Sequence, residues 1–137
     1  MKKLIILLII ILGISLVAYA GANKYELGQH TPAFGTETGW VIVNTNSQMM
    51  VLEFQVDGLP LDVNQQYWAF YYNYDTSSLE VLGQLKVNKF GSGHLNAHVS
   101  EGISEHFQVG VAVTADPIAD PINNGNVVLY YVVVPLP

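Results

Sequence analysis

From residue 49 onward, apolar and polar positions fall into step with a strand. Met50, Leu52, Phe54 and Val56 share one parity, while Glu53, Gln55 and Asp57 share the other. A period of two with one apolar face is the pattern of a strand half buried against a core. Asp57-Gly58-Leu59-Pro60 stops it. Residues 67–72, Tyr67-Trp68-Ala69-Phe70-Tyr71-Tyr72, are apolar on both parities. That suits a central strand covered on both sides, or one whose second face lies in an interface. With Leu52 and Phe54 pointing inward, Tyr67, Ala69 and Tyr71 are expected beside them. Trp68, Phe70 and Tyr72 then lie either under a covering element or on an open aromatic face.

The rest of the chain repeats this scheme. Trp40-Val41-Ile42-Val43 is a β-branched run closed by the turn formers Asn44-Thr45-Asn46-Ser47. Residues 79–87 predict a strand with Gly83 as a bulge, and a glycine-rich turn over residues 88–93 leads into another strand at 94–99. Phe107, Val109, Val111 and Val113 alternate along residues 106–114. Residues 115–126, ADPIADPINNGN, hold two Asp-Pro pairs and an Asn-Asn-Gly, so they predict a long, oxygen-rich loop. Residues 127–134, VVLYYVVV, are continuously apolar and predict a last strand covered on both faces. Residues 21–38 are mostly polar, carry several glycines and show no sustained period, which predicts an extended N-terminal arm. No stretch after residue 20 has a helical period. About seven strands at a spacing of roughly ten residues predict an all-β, antiparallel sandwich.

The first twenty residues follow a different rule. Met1-Lys2-Lys3 is a positive start, residues 4–17 (LIILLIIILGISLV) form an uncharged apolar run, and Ala18-Tyr19-Ala20 offers small residues at a cleavage site. These are the three parts of a secretory signal peptide. The run is shorter than the ~20 apolar residues that a spanning helix needs. The predicted organisation is a signal peptide at 1–20 forming a hydrophobic helix, an arm at 21–38 and a β-sandwich domain at 39–137. The alternative is a leader kept as an anchor.

Cleavage after Ala20 would change the charge. Three lysines, Lys24, Lys86 and Lys89, would face eleven acidic residues, a net charge of −8, and there is no arginine. Such a chain has no footprint for a phosphate backbone and would be repelled by anionic lipid. Nucleic-acid partners are excluded on this ground, and no stable membrane partner is expected after cleavage. The chain has no cysteine, which removes disulfides, thiol catalysis and thiolate metal sites.

One local motif supports the fold. Val56-Asp57-Gly58-Leu59-Pro60 followed by Tyr67-Trp68-Ala69 resembles the tyrosine corner of fibronectin type III and other immunoglobulin-like sandwiches. The resemblance implies an immunoglobulin-like sandwich in which the Tyr67 hydroxyl turns back onto the corner backbone near Leu59. Pro60 follows Leu59 directly, and Ala69 stands where those domains usually carry a larger apolar residue. Leu82-Gly83-Gln84-Leu85 and residues 88–93 also resemble a pattern of small exported prokaryotic β-sandwich domains.

Candidate chemistry is sparse. His94, His98 and His106, with His30 behind them, are candidate metal ligands. On a strand, however, His94 and His98 stand about 13 Å apart at ~3.3 Å per residue, too far to share a metal. A site would need His106 to approach one of them across strands; otherwise all three are solvent-facing. Asp116, Asp120 and Asn124, with Asn123 and Asn126, could offer calcium hard oxygens, although their spacing is not that of an EF-hand and equally fits plain turns. Glu101, Glu105 and His106 read as a solvated charge cluster. No nucleophile–base motif or phosphate-cradling glycine loop occurs. No cofactor is implied, and an enzyme is not expected. Trp68, Phe70 and Tyr72 are the candidate binding face, for a glycan, a protein or another copy of the chain. The sequence therefore reads as an exported, non-enzymatic binding or structural module of the cell envelope or extracellular space, secreted, periplasmic or at the cell surface. The alternatives are a subunit of a strand-exchanging assembly or a metal-binding protein using the histidines.

Overall fold

The computed structural model describes residues 22–30, 36–45, 49–62, 65–100 and 103–134. The expected leader lies outside these residues. The described chain forms nine strands: β1 (Ala22–Gln29), β2 (Thr38–Thr45), β3 (Met50–Asp57), β4 (Tyr67–Asn73), β5 (Ser78–Gln84), β6 (Lys86–Val87), β7 (Gly93–Val99), β8 (Phe107–Val113) and β9 (Val127–Val133). Every pairing is antiparallel, in the order β5-β4-β8-β9-β1-β2-β3-β7-β6. No helix occurs among the described residues.

The alternation of β3 is realised as read. Met50, Leu52, Phe54 and Val56 are buried, and they meet Tyr67, Ala69 and Tyr71 of β4 and Val109 and Val111 of β8 in one core. The two halves of the sheet thus bury facing surfaces against each other, an all-β arrangement compatible with a sandwich or a barrel. Two strands join the halves. β1 pairs with β2 from Ala22 to Leu27, then with β9 through Gly28 and Gln29. β5 passes into β6 at Leu85, whose N–H donates to the Tyr67 carbonyl at 2.8 Å. The bulge expected at Gly83 lies beside it, in a register shift opposite Ala69 and Phe70.

The corner after β3 is held from three sides. The Tyr67 hydroxyl donates to the Pro60 carbonyl at 2.8 Å, one residue beyond the expected acceptor. Leu59 N–H donates to the Gly91 carbonyl at 3.0 Å, and the Thr36 hydroxyl donates to the Gly58 carbonyl at 2.8 Å. Gly58 has φ 72°, and a Cβ there would run into the Thr36 carbonyl oxygen, so both conformation and space demand glycine.

Two expectations need correction. The segment read as an arm contains β1, whose polar outward residues hide the inward pair Tyr25 and Leu27. Leu27 is buried in the main core, with Tyr25 packed against it. β9 was expected to be covered on both faces, yet only Val127, Val128 and Leu129 are buried, and Tyr131 is 36% exposed. β1 reaches β9 only at Gly28 and Gln29, opposite Tyr130 and Leu129, so the half of β9 after Tyr130 has no β1 residue paired along that edge.

Candidate functional site

The outward positions of β4 alternate with the core positions, so Trp68, Phe70 and Tyr72 share the outer face of the β5-β4-β8-β9 half. They do not form one flat surface. Phe70 is 2% exposed, because Ile122 of the 115–126 loop sits on it with Ala112 and Val127. Gly110 makes this possible. It lies opposite Phe70 in β8, and a Cβ there would stand 2.9 Å from two ring carbons of Phe70. The aromatic face expected from the sequence is therefore interrupted in its middle, and Phe70 is a core residue of a small second cluster.

The loop is built to stay where it covers Phe70. The Thr114 hydroxyl donates to the Asp120 carbonyl at 3.0 Å, and Asp120 N–H donates to the Asp116 carbonyl at 2.8 Å. Asp116 Oδ1 accepts the Ile118 N–H at 2.9 Å. Asn126 Oδ1 accepts the Asn123 N–H, and Asn123 Oδ1 accepts the Gly125 N–H. The Asp116, Asp120, Asn123 and Asn126 side chains, read as calcium ligands, thus turn to local hydrogen bonds, Asp120 Oδ2 accepting the Thr114 hydroxyl at 3.2 Å. Asp116 and Asp120 bond within the loop's first turn, whereas Asn124 lies at the edge of a hollow beside Phe70.

That hollow, of about 420 Å³, is bordered by Tyr72, Tyr74, Leu79, Gln108, Asn123 and Asn124. Tyr74 is fixed by several contacts. Its ring packs edge-to-face on Tyr72 at 5.0 Å and stacks on His106 at 4.3 Å. Its hydroxyl donates to Gln108 Oε1 at 3.1 Å. Asn73 is 4% exposed, and its Oδ1 accepts the N–H groups of Asp75 and Thr76 at 2.9 and 3.2 Å, which sets the turn carrying Tyr74. Among the described residues, no carboxylate, ammonium or imidazole borders the hollow. A second hollow of about 480 Å³ lies on the other side of Phe70, bordered by Trp68, Val81, Asp116, Pro117 and Ile118. Trp68 Nε1–H donates to the Thr114 carbonyl at 3.1 Å, holding the indole in place.

The histidines are not brought together. His94 and His98 lie on β7 and His106 just before β8, strands that are not neighbours in the sheet. His94 Nε2 is 3.8 Å from Glu53 Oε1, whereas His106 is the stacking partner of Tyr74. Among the described residues no group of three His, Cys, Asp or Glu side chains could hold a metal. His30 packs edge-on to Tyr130.

Sequence reasoning missed Tyr74, Gln108 and Asn123 as neighbours and Ile122 as the cover. Gly110 was the available signal, a residue without a side chain in the apolar run Val109–Val113. Compared with known proteins, the chain matches no family model, no curated protein and no solved structure.

Proposed function

We propose that the protein is an exported, non-enzymatic module that binds a neutral glycan in the hollow between Tyr72, Tyr74 and Gln108. The observation that carries this reading is the chemistry of the lining. Two tyrosine rings in edge-to-face contact supply apolar area at low entropy cost, and the amides of Gln108 and Asn124 offer hydrogen-bonding groups without charge. Sugars present apolar ring faces and hydroxyls, and a neutral sugar gains nothing from the charges missing here. Export rests on residues 1–20, with cleavage after Ala20 and action in the envelope or outside the cell. The strand order supports the immunoglobulin-like reading. Setting β1 aside, β2-β3-β7-β6 and β9-β8-β4-β5 follow the A-B-E-D and G-F-C-C′ orders of such sandwiches. The test is calorimetric titration of the mature domain with neutral polysaccharides such as cellulose-, chitin- and mannan-derived oligomers. Binding that disappears in Tyr72→Ala, with folding intact, is the expected outcome.

A second reading, strand exchange between copies, is favoured by a separate observation. β1 is paired with β2 at six positions and with β9 at only two, so the backbone edge of β9 beyond Tyr130 has no β1 partner and is open to strand addition. Light scattering behind size-exclusion chromatography tests it. A concentration-independent monomer removes this reading.

A further inference from the structure

The two hollows on either side of Phe70 are bordered by alternate outward residues of the same strand, β5. Tyr72 lies opposite Leu79 and Phe70 opposite Val81 in the β4–β5 register. Leu79 borders the tyrosine hollow and Val81 the tryptophan hollow. Both are on the outer face, 40% and 36% exposed, so the Ile122 cover closes over Phe70 without closing the β5 side. A ligand extended along the exposed Leu79 and Val81 of β5 would pass from one hollow to the other. Trp68 and Tyr72 are four residues apart on one strand, about 13 Å at ~3.3 Å per residue.

We infer that the Trp68 hollow is a second subsite for the same ligand, which is therefore a linear, neutral oligosaccharide lying along β5 rather than a single sugar. The inference rests on the glycan reading of the tyrosine hollow. Trp68, pinned through Nε1–H to Thr114, presents its ring to the hollow, and Ile118, 90% exposed, walls it on the far side. Among the described residues Asp116 is the one acid on this rim, and its Oδ1 already accepts the Ile118 N–H. It would disfavour an anionic sugar here, so neutrality holds for both subsites. A ligand spanning both makes the second contact within one molecule, so its affinity rises with length.

The experiment titrates the mature domain with neutral cello- and chito-oligosaccharides of two and six sugars. The six-sugar ligand of the binding series should bind at least about tenfold more tightly than the two-sugar ligand. Trp68→Ala should bring it down to the two-sugar level. Ile118→Ser, at an exposed position where folding is not at stake, should erase part of the same gain. In a Trp40→Phe background Trp68 is the remaining tryptophan of the chain's two, and its emission should change with the longer ligand alone. A length gain that survives both Trp68→Ala and Ile118→Ser overturns the second subsite and leaves the tyrosine hollow standing. Absence of binding at either length in every series overturns the glycan reading itself.

Discussion

Gly110 shows how one missing side chain decides what a face can do. Any Cβ at this position meets the Phe70 ring and the Leu129 carbonyl oxygen, so Gly110→Ala must shift Phe70 or the β8–β9 pairing. Overpacking of this kind costs about 1–3 kcal/mol, and chemical denaturation should register a loss of that size. Tyr67 is the second decisive residue. Tyr67→Phe leaves its ring in the core and removes the bond to the Pro60 carbonyl, an expected loss of about 1 kcal/mol. Its hydroxyl is also held protonated, by burial first and then by the negative charges of Glu37 and Asp62. Burial acts the same way on Tyr71, against a smaller opposing pull from its hydrogen bond with the Ser104 N–H. The folded state therefore keeps protons that the unfolded chain releases near pH 10. Their stabilising contribution is complete below that pH and is lost as pH rises through the higher folded values. Denaturation midpoints followed from about pH 8 to 11 should fall at the alkaline end, and less steeply in Tyr67→Phe.

At the scale of elements, strands with a clean period of two were legible and those without it were not. β3 and β7 announce themselves because core and solvent residues alternate. The corner at Gly58-Leu59-Pro60 with Tyr67 was legible as well, because a fixed spacing implies one hydrogen bond. β1 was hidden because only Tyr25 and Leu27 of its eight residues point inward. If β1 is part of the core, Leu27→Ala should cost about 2–4 kcal/mol; an arm would tolerate it without measurable change. β9 misled in the opposite direction. Its apolar run implies cover on both faces, but cover depends on where β1 and the 115–126 loop go, which no local pattern encodes. The loop's own turns were readable from Asp-Pro and Asn-Gly, whereas Ile122 landing on Phe70 is a tertiary fact. Thr114→Val, which removes the hydroxyl bonded to the Asp120 carbonyl, should loosen this loop. Hydrogen exchange at Asp120 and Asn126, whose N–H groups donate within the loop, should then quicken relative to the core strands.

For the molecule as a whole, the division of labour follows from the topology. The inner faces of both halves form the core. The outer face of β4, β5 and β8 is apolar and aromatic, is partly roofed by one loop, and is left open along β5. The other outer face carries Lys24, Glu26, Glu53, His94 and Lys86, where the Lys24–Glu26 ion pair and the His94–Glu53 contact are exposed and contribute little to stability. Under the glycan proposal, recognition falls on the face whose hollow at Tyr72 is bordered, among the described residues, by no charge. This assignment predicts an indifference to salt that a charged interface could not show. Titration of the mature domain with its best neutral oligosaccharide, at about 0.05 M and about 0.5 M sodium chloride, tests it most directly. The account predicts the same affinity at both concentrations and no binding by Tyr72→Ala. Affinity that collapses at high salt, or that survives Tyr72→Ala unchanged, would contradict it.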